Sequence, residues 1–156
     1  MAVTSFPSTI DGIKYFVNNY GNDLIAALTG SGLYFAVAVA QQCLESGYGT
    51  SDNARLYNNF GGIYNFGSLK GVIGTSPKGF AILSSPKAYF DVYVGVLHDP
   101  TKKYISQGLL TATTPQQQLQ AIALGGYCEA PPGMAYYNGV WPIVYKTLLL
   151  YNIGKL

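Results

Sequence analysis

Charge is scarce in this chain: Lys and Arg number 9, Asp and Glu 7 and His 1 among 156 residues, for a formal net charge of +2. The cations are scattered rather than clustered, which excludes the basic stripe that nucleic acid binding requires. Cysteine is equally sparse. Cys43 and Cys128 stand far from each other and from the only histidine, His98, so no set of about four ligands exists for a structural zinc, and no metal or other cofactor is expected. Two buried thiols are the simplest reading of the pair, with one disulfide open to a chain that folds in an oxidising compartment. Long apolar runs are missing too: the longest, Leu33 to Ala40, is about half of what a membrane span needs. The opening Met1 to Pro7 lacks the basic and apolar regions of a secretion signal.

What the chain does contain is apolar and aromatic. Hydrophobic residues make up 49% against 10% charged, which excludes disorder, and 14 tyrosines and 19 glycines are many for this length. Tyrosine-rich chains often carry carbohydrate or peptide grooves, although tyrosines also serve at a core rim with the hydroxyl in water. The length suits a single domain over residues 1–156, with no repeat or linker.

Periodicity predicts a mainly helical chain. A first helix fits Thr9 to Tyr20, closed by Gly21, and a second short one follows from Asn22 to Leu28. From Ser31 the sequence is apolar on nearly every face as far as Gln41, which predicts a helix through the middle of the domain, ending at Ser46 and Gly47. A small helical piece is expected at Asp52 to Tyr57. Asn58 to Ser85 is glycine-rich, with β-branched and aromatic residues between, and predicts a small lobe of short strands inserted after the central helix. Ser85-Pro86 and Thr114-Pro115 are helix starts, the first helix running to Asp99-Pro100 and the second to Leu124. A last helix is expected from about Asn138 to Tyr151, with Pro142 near its first turn.

Chemistry concentrates at Glu45. Cleaving a glycosidic bond takes a carboxylic acid that is still protonated near neutral pH, and an ordinary exposed Glu is not. Glu45 ends an apolar, buried helix, so both desolvation and the negative end of the helix dipole disfavour its charge. None of the other six acids has such a setting. Gly47 and Gly49 leave little bulk beside it, which gives a polysaccharide strand room to pass, and Tyr48 between them has a ring to offer a sugar. Asn58 and Asn59 are read first as partners of their local backbone and second as contacts to acetamido groups.

The stretch Ala40-Gln41-Gln42-Cys43-Leu44-Glu45-Ser46-Gly47-Tyr48-Gly49-Thr50, followed by Asn58-Asn59-Phe60-Gly61-Gly62-Ile63, resembles the signature of the glucosaminidase family of glycoside hydrolases, which includes flagellar muramidases and bacterial autolysins. The resemblance implies a lysozyme-like α+β fold and a peptidoglycan hydrolase in which Glu45 is the general acid. It makes Asn59, Phe60, Tyr64 and Tyr137, with Tyr48, candidates for substrate binding. Gly125 to Pro132 stands where the family has a tyrosine-bearing loop, which implies a substrate-orienting hydroxyl on Tyr127, and Tyr136 or Tyr137 matches the tyrosine that opens the last helix.

One departure is plain. Many relatives take a second carboxylate from the β lobe, but no Asp or Glu occurs from Asn53 to Phe90. Asp52 or Glu129 would then have to swing in as base, or the substrate's 2-acetamido group or muramic 6-hydroxyl would attack instead, the last making a lytic transglycosylase. A non-catalytic glycan-binding or structural module of a phage tail or injection apparatus is the alternative of another class. With peptidoglycan strands as partner and no secretion signal, the setting expected is the cell wall, reached as a phage lysin, a virion-associated lysin with other virion proteins, or an exported effector with its secretion apparatus.

Overall fold

A computed structural model describes residues 5–156; the reading of the first residues as lacking a secretion signal therefore falls partly on positions outside the described ones. The element order is α1 (Thr9–Leu28), α2 (Phe35–Ser46), α3 (Asp52–Tyr57), β1 (Val72–Thr75), β2 (Ala81–Leu83), α4 (Pro86–His98), α5 (Pro115–Leu124) and α6 (Gly133–Leu150).

Three boundaries differ from the expectations, each for a physical reason. The helix does not break at Gly21: α1 runs on to Leu28, with Gly21 buried and Val17 packed closely against it. Packing of α1 on α4 and α2 outweighs the roughly 1 kcal/mol that glycine costs inside a helix. The central helix begins at Phe35 rather than Ser31, because Gly32 is left-handed at φ +75° and its N–H is held by Leu156 O at 2.6 Å. The chain's C-terminal strip pairs with the residues before α2, through Leu156 N–H to Leu33 O at 2.9 Å and Phe35 N–H to Gly154 O at 3.1 Å. Finally, α6 starts at Gly133, so Pro142 lies inside it rather than in its first turn. Pro142 and Asn138, whose carbonyl loses its donor, are both exposed, so that carbonyl is open to solvent.

The helix starts at residues 85 and 114 follow the sequence closely. Ser85 Oγ accepts from Ala88 N–H and Thr114 Oγ1 from Gln117 N–H, with Pro86 and Pro115 opening their helices where no amide partner is needed. The inserted lobe is irregular, with only the antiparallel β1–β2 pair and a bridge between Tyr64 and Phe80. Around α2, every residue from Phe35 to Cys43 is buried, and α1, α5 and α6 pack against it. Phe16, Phe60 and Phe90 meet beneath the lobe with ring centroids 4.9 to 6.3 Å apart and tie α1, the lobe and α4 together. Both cysteines are free thiols, Cys43 in this core and Cys128 half-buried in the loop before α6.

Candidate active site

Glu45 stands in the last turn of α2, and the turn after it is fastened from within. Ser46 Oγ donates to Gln42 O at 2.5 Å and accepts from Gly49 N–H at 2.8 Å, while Gly47, Tyr48 and Gly49 all take left-handed φ. This reversal aims Glu45 away from the core and into a cleft of about 740 Å³.

One wall of the cleft comes from α4, whose Tyr89, Val92, Tyr93 and Val96 recur at helical spacing. The opposite side is the loop before α6, with Tyr127, Cys128 and Pro131, and Tyr136 from α6 itself. Gly61 and Ile63 bring in the edge of the lobe. The cleft is therefore apolar and phenolic, and among the described residues Glu45 is the only one that brings a carboxyl group to it.

The open mouth leaves the Glu45 residue exposed, while neighbouring atoms crowd its carboxyl on the other sides. That crowding sets the proton affinity: desolvation raises the pKa from 4.5 to about 7, and a hydrogen bond with the Tyr127 hydroxyl pulls the other way. Burial also pushes the phenols of Tyr89, Tyr93, Tyr127 and Tyr136 upward, so all four are protonated at neutral pH. No side chain fits at residue 61, since a Cβ there would collide with Tyr89 Oη and lie 2.8 Å from Glu45 Oε2. The site thus holds an acid that keeps its proton near pH 7, among fixed neutral donors and sugar-compatible rings.

The remaining residues singled out by sequence lie elsewhere. Tyr48 packs its ring against Gly12 of α1 and Phe6, not into the cleft. Asn59 is fully buried and spends its amide on the lobe, donating to Ile63 O at 2.8 Å and Ala81 O at 2.9 Å and accepting from Ile63 N–H at 2.9 Å. Asn58 likewise serves the backbone, donating to Leu83 O at 3.0 Å. Phe60 is core, 1% exposed. Tyr64 is half exposed on the lobe and stacks on Phe80 at 4.7 Å, outside the cleft lining. Tyr137 stacks on Trp141, and its neighbour Tyr136 is the one that reaches the cleft. Asp52 is bound to Arg55 at 2.7 Å and points into solvent, and Glu129 is exposed between two cleft residues without lining the cleft itself. Neither is brought to Glu45. Gly61, Tyr89, Tyr93 and Tyr104 also line the cleft without standing out as site residues in the sequence; the one signal for the α4 pair is phenols, rather than plain apolar residues, four apart on one helix face.

Residues 21–147 match the glucosaminidase family model, described as mannosyl-glycoprotein endo-beta-N-acetylglucosaminidase. No curated protein matches the chain. Among solved structures, the glycoside hydrolase domain of Salmonella typhimurium FlgJ is 25% identical with a TM-score of 0.70, over 88% of this chain and 89% of that one. The catalytic domain of the autolysin Auto from Listeria monocytogenes is 17% identical with a TM-score of 0.66, over 92% and 87%. A type VI secretion system effector–immunity complex from Pseudomonas protegens is 18% identical with a TM-score of 0.60, over 86% and 90%. The mostly helical fold with a two-stranded lobe is thus the lysozyme-like one that the sequence predicts.

Proposed function

The chain belongs to the glucosaminidase family, and from that footing we propose that it hydrolyses the glycan strand of bacterial peptidoglycan with Glu45 as its general acid. Family membership and the likeness to a glycoside hydrolase domain support a peptidoglycan hydrolase. The observation that carries the assignment of Glu45 is its place as the single carboxyl group that the described residues bring to the cleft, desolvated enough to hold its proton to about pH 7. A module that only bound glycan would have no use for such an acid.

Glu45 gives its proton to the bridging oxygen as the bond from that oxygen to C1 breaks. Because Asp52 and Glu129 lie outside the cleft lining, we assign the second role to the substrate. The carbonyl oxygen of its 2-acetamido group forms a bond to C1 as the leaving sugar departs, giving an oxazolinium ion. Water then attacks C1 from the vacated side and loses a proton to the Glu45 carboxylate, which restores the acid and the acetamido group. Tyr127, bonded to that carboxyl, holds it in place through both steps.

Mass spectrometry of fragments released from purified cell walls tests this chemistry. Hydrolysis leaves reducing ends, and proton NMR of the fresh product should show configuration retained at C1. Fragments with 1,6-anhydro ends would overturn it in favour of attack by the muramic 6-hydroxyl.

A further inference from the structure

Gln41 lies one helical turn before Glu45 and is fully buried. Tyr93 Oη donates to its Oε1 at 2.6 Å, and its Nε2 donates to Tyr136 Oη at 2.9 Å. Those lengths are the ones expected of an O–H···O and an N–H···O bond respectively, in keeping with the orientation in which the amide stands. Tyr93 and Tyr136 are 3% and 4% exposed, so neither phenol trades its partner for bulk water at little cost. Tyr136 therefore receives a bond on its oxygen, and among the described residues it donates to none. A buried hydroxyl proton left over in this way needs an acceptor, and Tyr136 lines the cleft that holds Glu45.

Resting on the hydrolase reading above, we propose that Gln41 is a positioning residue. It occupies the acceptor side of the Tyr136 hydroxyl and so turns the O–H into the cleft, as a fixed donor to an uncharged sugar oxygen beside the scissile bond. A neutral amide suits this role. A carboxylate at 41 would accept from both tyrosines and draw the Tyr136 proton back into the core, and an ammonium would bring an unpaired charge beside the acid. The donor is preset before the substrate arrives, so its benefit is realised at the reacting centre rather than in overall binding.

The test is a double-mutant cycle on cell-wall hydrolysis by the full chain. Tyr136→Phe and Gln41→Met should each lower kcat about tenfold, the scale of one oriented hydrogen bond, with KM nearly unchanged. The double variant should be no slower than Tyr136→Phe alone, because Gln41 acts through a hydroxyl already gone. Should Gln41→Met fail to fold, Tyr93→Phe, which frees the amide oxygen, should slow the wild-type enzyme about threefold and leave the Tyr136→Phe enzyme unchanged. Losses that multiply to about a hundredfold in the double variant, Tyr93→Phe losses that persist without the Tyr136 hydroxyl, or full activity in Tyr136→Phe would overturn the proposal. A Glu45→Gln control separates the two claims: activity surviving there undoes the hydrolase reading, whereas an inert Glu45→Gln beside multiplying losses undoes only the role of Gln41.

Discussion

Gly61 and Glu45 press on one another so closely that a single added carbon at residue 61 would lie 2.8 Å from Glu45 Oε2. The glycine is not there for an unusual backbone angle. It is there because the acid and the Tyr89 hydroxyl occupy the space where a side chain would stand. Gly61→Ala should therefore displace the carboxyl and cut cell-wall hydrolysis by about a hundredfold, the penalty of roughly 1 Å of misplacement. The fold should survive, since overpacking costs about 1–3 kcal/mol. Wall-clearing rates set beside a thermal melt check both halves.

The pH profile follows from Glu45. In the proposed mechanism its acid form is the working one, so kcat/KM should fall on the alkaline side with a midpoint near the folded value of about 7. Stability has the same origin. A carboxyl raised from 4.5 to about 7 binds its proton more tightly folded than unfolded, so its contribution is fully present below about 4.5 and is lost as pH rises through about 7. Glu45→Gln, which cannot ionise, should melt higher than the wild type at pH 8, and the gap should shrink towards pH 4.5. A gap that does not change with pH would contradict the shift.

Tyr127 opposes burial at that carboxyl, since its hydroxyl bonds the charged form. Tyr127→Phe should move the alkaline limb of the profile to higher pH and lower the maximal rate about tenfold, as the carboxyl loses both a bond and its fixed orientation. A limb that stays put, measured on the same cell walls, would place Tyr127 away from the acid.

Much of this architecture can be read from the chain. Four helices are legible because their signals are local: Ser85-Pro86 and Thr114-Pro115 cap their own helices, Asp52–Tyr57 is a short piece between turn residues, and the all-round apolar α2 has to be central. The errors come where distant residues intervene. Gly21 is a credible stop until α4 packs on α1, and Ser31 is a credible start until Leu156 returns to hold Gly32. The site divides in the same way. Glu45 and Tyr127 can be placed by motif, whereas the wall supplied by Tyr89 and Tyr93 depends on how α4 rotates against the lobe, which no local pattern records. Tyr48 misleads because its left-handed backbone swings the ring onto Gly12 instead of into the cleft.

In the proposed mechanism one desolvated carboxyl group performs the acid chemistry, and Glu45→Gln is its sharpest test, because the amide keeps the shape and removes the transferable proton. Digestion of purified peptidoglycan by wild type and variant, followed by mass analysis of the soluble fragments, should show muropeptides from the first and none above background from a folded Glu45→Gln protein. Muropeptides released by that variant at the wild-type rate would rule Glu45 out as the acid.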